Sequence, residues 1–385
     1  MTDSFEGYLG PVVAGVPPEM ISPSAFADIR SVARVLPGTL AYNTFGFECR
    51  LGEELPRADF LVLANASCGR DSLAGLHPTS SLPQRLAADP IWERVIAFTA
   101  RWADPSSVLY HSADNVWLEF DVDGPAPDVP VPSLFFGPQA NGPNDTGGAA
   151  RVPDVEGYRA TIVDALRLLS GTDPSPGMLE TMSDCLRALS PGEPVFQVGL
   201  MMSRGAEAAR FCIRLGSVDR IPEYLSAVGW TGNEADLRDT LESVERLVDY
   251  VCLDIDVGET VHPKIGLECY IRGPGRATSR SRWDAFSGLL LERGLCTPDK
   301  REALLAYPGY IDENADGVPW PAPLRRASLL LGGRSLSMFV RSIHHVKIVH
   351  QQDKPPEAKV YLAASHHWHM PAKASSTAPS ESMRA

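Results

Sequence analysis

Positive charge is scarce in this chain of 385 residues: 35 basic side chains face 48 acidic ones, for a formal net charge of −13. Without a basic run, a nucleic-acid groove or a polybasic membrane patch is excluded as its main business. Long apolar runs are missing as well, and none approaches the length of a membrane span. The opening MTDSFEGYLGPVVAG shows no basic region followed by an apolar one, so no secretory leader is expected. The seven cysteines are irregularly spaced and form no CxxC. That pattern fits reduced thiols in a cytoplasmic protein better than a disulfide framework or a zinc site. No GxGxxG opens a helix after a strand, and neither a Walker A pattern nor GxSxG occurs, which removes support for nucleotide folds and hydrolase elbows.

What is present is a repeated hairpin pattern. Runs of period-two alternation flank turn signals in FGFECRLGEELPRADFLVLA (45–64), in NVWLEFDVDG with VPSLFFGP, in VFQVGLMMSRGAEAARFCIRLG (195–216), in YVCLDIDVGETVHPKIGLECYIRG (250–273) and in HHVKIVHQQDKPPEAKVYLAASHHWH (344–369). This spacing predicts about ten strands in about five antiparallel hairpins. Between them the apolar period changes to that of a helix. Ser22 caps a segment with Phe26, Ile29 and Val32 on one face, Thr297 precedes Pro298, and similar stretches begin at Asp89, Asp154, Asn233 and Arg282. The alternation of the two patterns predicts one domain over residues 1–370. The segment 371–385, rich in Ala, Ser and Pro, reads as a disordered tail.

The strand faces are unequal. On one side lie Val116, Leu118 and Phe120, then Phe211 and Ile213, then Leu253 and Ile255, then Leu267 and Cys269, then Val360 and Leu362. On the other side, alternation places seven acids (Glu48, Asp59, Glu119, Asp121, Asp254, Asp256, Glu268) and six bases (Arg50, Arg210, Arg214, Arg272, Lys347, Lys359). Amphipathic helices can cover the apolar faces. The polar faces can then meet water on an open sheet, or line the inside of a closed barrel. Trp117, Phe135, Tyr270 and Tyr361 sit among the charges, which suits a pocket lining and favours closure. The expected fold is therefore α+β: an antiparallel ten-stranded β-barrel with a polar lumen, surrounded by α-helices in αββα repeats.

This pattern resembles the ABBA-type aromatic prenyltransferases, the PT-barrel enzymes, over roughly residues 20–370. Lys359-Val360-Tyr361 is similar to the Lys-x-Tyr of their barrel strands, in which the lysine holds diphosphate oxygens and the tyrosine shields an allylic cation. The resemblance implies diphosphate ligands at Arg210 and Arg214, and at Glu48 a carboxylate that holds the acceptor. It departs from the family at Glu268 and Tyr270, where a further Lys-x-Tyr is expected. The implied function is transfer of a prenyl group from an allylic diphosphate to an electron-rich aromatic acceptor, an indole or phenol in a small molecule or peptide. Fixed cations would stabilise the leaving diphosphate, aromatic walls the carbocation, and a carboxylate would take the proton. Glu48, Tyr270 and Tyr361 are then the expected catalytic residues. Arg50, Arg210, Arg214, Lys347, Lys359, Glu268, Asp254, Asp256, Trp117 and Glu119 are the expected substrate-binding set. No cofactor is required, although paired acids such as Asp254 and Asp256 can hold Mg²⁺ against a diphosphate. The excess of inward acids keeps a second reading open: a PT barrel that no longer prenylates and instead binds or alters a precursor peptide in modified-peptide biosynthesis.

Three further features have plainer readings. His366, His367 and His369 sit close together but at a strand end, which suits solvated side chains better than a metal site. The segment GPGRATSRSRW (273–283) reads as a basic loop. Cys212 lies between two arginines, which would lower its pKa, yet it reads mainly as a small filler.

Overall fold

A computed structural model of the chain describes residues 3–370 except 79, 81, 123, 125–126, 139–154, 206, 273–275, 333–334 and 353. The expected tail and most of the Gly/Asn/Pro-rich stretch 137–154 lie outside the described residues. The strands are β1 (Phe45–Arg50), β2 (Ala58–Asn65), β3 (Asn115–Phe120), β4 (Ser133–Phe136), β5 (Val195–Leu200), β6 (Ala209–Ile213), β7 (Tyr250–Val257), β8 (Val261–Tyr270), β9 (Gly309–Asp312), β10 (Leu336–Gln351) and β11 (Lys354–His369). Each hairpin expected from alternation pairs as an antiparallel unit. The units join edge to edge, β8 pairs with β10, and β11 returns to β1 with Gly46 opposite Ala363. Ten strands thus close into a barrel, which removes the open sheet's two edges except along the start of β10.

The eleventh strand, β9, was not foreseen. It pairs with Met338–Arg341 at the start of β10, on the same edge that β8 takes further along at Val346–His350. Its four residues are too few to show a period. The last hairpin is also longer than its sequence signal, because β10 begins at Leu336 rather than His344.

Helices cover the outer face. Local sequence sets their starts: Ser22 Oγ accepts from Ala25 N ahead of Pro23–Val35, Asp89 caps Pro90–Ala103, and Thr297 caps Pro298–Ala306. Each pairs a side-chain cap with proline in the first turn, where its missing N–H costs nothing. The stretch read as a basic loop is largely a helix, Arg276–Glu292, in which Arg282 donates to Asp249 at 2.8 Å. The core lies between these helices and the outward strand residues. Phe45, Phe47, Phe60 and Phe120 are all buried there, and Phe5 packs edge-on against Phe45 and Phe60. Lys300, also buried, donates to the carbonyls of Arg50 and Leu55 and ties its helix to the first hairpin. Among the described residues no helix is long and apolar enough to cross a membrane.

Candidate active site

Closure puts the polar faces inside, and the lumen divides into two chambers. The larger, about 460 Å³, has apolar and aromatic walls that include Leu61, Leu63, Trp117, Phe135, Phe196 and Tyr270. Gly199 makes this wall possible, since a Cβ there would meet the Phe135 ring at 2.0 Å. The smaller chamber, about 30 Å³, is lined by five bases (Arg204, Arg210, Lys264, Lys347, Lys359) and four acids (Glu48, Glu119, Asp254, Asp256). Glu119, Lys347 and Tyr361 border both.

Register explains the order within the charged chamber. Glu48 on β1 stands opposite Tyr361 on β11, and two residues further Arg50 stands opposite Lys359. Lys359 Nζ reaches across to Glu48 Oε1 at 2.8 Å, while the Tyr361 hydroxyl donates to Glu48 Oε2. Burial raises the Glu48 carboxyl, but Lys359 and Lys347 outweigh it and hold the group well below the usual carboxylate range. Arg210 on β6 faces Asp256 on β7 and binds it through two parallel hydrogen bonds, 2.8 and 3.0 Å. Arg204, in the turn after β5, holds Asp121 at the end of β3. Lys347 on β10 lies 2.5 Å from Asp254 Oδ2 and 3.6 Å from Glu268 Oε1. Burial lowers the Lys347 pKa, yet Asp254, Tyr361 and Glu268 raise it far more, so the ammonium is retained. Gly266 leaves room for this pair, because a Cβ there would sit 3.1 Å from Lys347 Cε and 3.2 Å from Asp254 Oδ2.

A ladder of rings crosses four neighbouring strands above these charges. Tyr250 stacks on Tyr270 at 4.6 Å, His345 lies 4.9 Å from Tyr270, and His345 stacks on Tyr361 at 4.1 Å. Burial, then the charges of His344 and Lys347, keep His345 neutral. The rungs therefore present π-faces and add no competing positive charge.

The structure brings together most of the expected residues and separates others. Glu48, Tyr361, Lys347, Lys359, Glu119, Asp254, Asp256 and Arg210 meet around the small chamber, while Trp117, Glu268 and Tyr270 line the large one. Arg214 does not join Arg210. It lies four residues along the chain, about 13 Å at strand rise, with its guanidinium 4.5 Å over the Tyr250 ring. Arg50 pairs with Asp59 at 3.1 Å and borders neither chamber. Cys212 is buried beside Asp254 and Glu268; burial and then these acids raise its thiol pKa, so the expected effect of flanking arginines is overridden. The C-terminal histidines do not converge, with His366 bonded to Ser337 and His367 to Ser365. Arg204, Lys264 and His345 were missed. Arg204 sits in a short 3₁₀ turn with no periodicity to read. His345 lies two residues before Lys347, in unbroken register with it, so alternation does place it on the inward face.

Asp254 and Asp256 project beside each other from β7, but Lys347 and Arg210 already neutralise them. The cluster of Cys212, Asp254 and Glu268 likewise has the Lys347 ammonium against two of its members.

No family model matches the sequence, and no curated protein matches it. Solved structures do match in fold. The chain superposes on the crystal structure of the prenyltransferase PriB in its apo form with a TM-score of 0.52 and 16% identity, covering 96% of this chain and 97% of that one. The ternary complex of PriB with L-tryptophan and dimethylallyl thiolodiphosphate gives a TM-score of 0.51, again at 16% identity, over 96% and 98% of the two chains. The fold is thus the ABBA prenyltransferase barrel, reached here by a distant sequence.

Proposed function

We propose that this protein is a transferase that moves a prenyl group from an allylic diphosphate to an electron-rich aromatic acceptor held inside the barrel. One observation carries this reading: a cluster of five bases, of which Lys347 is buried, meets an aromatic chamber along a shared wall of Lys347 and Tyr361. The first suits a leaving diphosphate and the second a flat acceptor with an allylic chain. The neighbour PriB, whose fold is shared, was crystallised with a donor analogue of that kind and L-tryptophan.

In this reading Lys347, Lys359 and Arg210 receive the diphosphate. Each is ion-paired, so the diphosphate draws Lys347 from Asp254 and Arg210 from Asp256, while Lys359 keeps Glu48 and offers its remaining N–H donors. Oxygen anions of a diphosphate accept the same charge-assisted hydrogen bonds, and their charge grows as the C–O bond breaks. The exchange therefore favours the transition state over the ground state. Tyr361, His345 and Tyr270 flank the cation with π-faces, and the closed wall keeps water from quenching it. Glu48 positions Lys359 and Tyr361 in this scheme. No step is routed through a metal. Most of the mixed charges that suggested a peptide channel are paired with one another within the lumen, so they offer little to a peptide. The seven cysteines, none in a disulfide, suit a reducing cytoplasm.

The test is incubation of the purified protein with dimethylallyl or geranyl diphosphate and a set of indoles and phenols. The expected result is an adduct heavier by one prenyl chain together with released diphosphate. An absence of both across the set would overturn the reading.

A further inference from the structure

Glu119 stands apart from the other lumen acids. Glu48, Asp59, Asp121, Asp254, Asp256 and Glu268 each have a basic partner within 4.0 Å. Among the described residues, Glu119 has neither an ion pair nor a hydrogen bond. Register gives the reason: its cross-strand neighbours are Leu61 on β2 and Ser133 on β4, and the Ser133 hydroxyl is engaged by Ser203 at 2.8 Å. Glu119 nevertheless borders both chambers, at the place where a donor and an acceptor would meet. The titratable and charged groups that face it are Glu48 on β1, Arg204 after β5, Arg210 on β6, Lys347 on β10 and Tyr361 on β11. Burial and then the charge of Glu48 push its carboxyl up to about 8.

We propose that Glu119 is the catalytic base that takes the proton released by the aromatic acceptor. This rests on the prenyl-transfer reading and departs from the expectation that placed the acceptor's carboxylate at Glu48. Both Glu48 oxygens are bonded, one to Lys359 and one to Tyr361, and the charges around them leave that carboxylate a weak base. Glu119 has free lone pairs, an open path to the large chamber, and a basicity suited to neutral pH.

The step balances. The C–O bond of the allylic diphosphate breaks and its electron pair leaves with the diphosphate. The allylic carbon bonds to a ring atom of the acceptor. The hydrogen on that atom passes as a proton to a Glu119 oxygen, and the electron pair of its broken bond restores the aromatic ring. Glu119 ends the step protonated and returns the proton to water after product leaves.

The experiment is single-turnover transfer in the wild-type protein, Glu119→Gln and Glu119→Asp as a function of pH, with diphosphate release and donor-analogue binding measured alongside. The wild type should show a rate that rises to a plateau above about pH 8, the usual behaviour of a base of that strength. Glu119→Gln should bind the donor analogue normally, still release diphosphate slowly to water, and lose about 10²- to 10⁴-fold in transfer together with the alkaline rise. Glu119→Asp should keep the rise at a lower plateau. A Glu119→Gln protein that transfers at the wild-type rate, with the same pH profile, overturns this assignment and leaves the prenyl-transfer reading intact. A wild type that transfers nothing to any acceptor overturns both.

Discussion

Lys359 and Glu48 form a buried pair across the closing seam of the barrel, Nζ to Oε1 at 2.8 Å, on the two strands that join the chain's last hairpin to its first. The residue whose type suggests diphosphate binding is thus also a counter-ion, and its truncation has a structural cost. Lys359→Ala should destabilise the protein by about 3–5 kcal/mol, because it leaves Glu48 buried without its main partner. The paired variant Glu48→Gln with Lys359→Met should recover most of that loss. Denaturant unfolding checks both, and a single variant as stable as the wild type would contradict the pairing.

Acid should loosen the lumen. Glu48 and Asp256 lie below their ordinary pKa values: burial raises both, but Lys359 and Lys347 in one case and Arg210 in the other outweigh it. A group depressed in the folded state contributes stability above its unfolded pKa of about 4 and loses it as pH falls through the folded value. The melting temperature should therefore drop steeply below about pH 4, and Glu48→Gln should flatten that drop. Identical acid profiles for the two proteins would sink the prediction.

Glu119 predicts the opposite slope. Its carboxyl is raised to about 8, so the folded state holds a proton that the unfolded chain has already lost. Stability from this group is complete below the unfolded pKa of about 4 and declines as pH rises towards 8. Glu119→Gln should remove that part of the decline, so its advantage over wild type should grow between about pH 5 and pH 8. Parallel stability curves over this interval would show that the carboxyl titrates normally.

How far the sequence reaches is visible in these residues. Alternation places Glu48, Lys359, Glu119 and Lys347 on the inward face, because a strand's side chains can only alternate. It cannot say which base meets which acid, since that depends on inter-strand register and side-chain reach. Hence Arg210 and Arg214, on one face of one stretch, end at Asp256 and at Tyr250 respectively. The turn that brings Arg204 to Asp121 leaves no periodic trace. The short β9 is recruited by the free edge of β10 rather than by its own pattern.

Gly199 sets the shape of the large chamber. Gly199→Val should force the Phe135 ring aside, since even a Cβ falls 2.0 Å from it. Overpacking of this kind costs about 1–3 kcal/mol, and the variant should lose affinity for aromatic ligands more than for diphosphate alone. Equal affinity for both in the variant and the wild type would contradict the assignment of that wall.

Calorimetric titration with dimethylallyl thiolodiphosphate, in the wild type and in Lys347→Met, bears on the donor site before any acceptor is known. Lys347 joins the two chambers and holds Asp254 at 2.5 Å. Saturable binding to the wild type without added metal, weakened at least about tenfold in a folded Lys347→Met protein, is the expected result, in line with the loss of one charge-assisted contact. No binding to the wild type, or equal binding to both proteins, would contradict a prenyl-donor site at the charged end of this barrel.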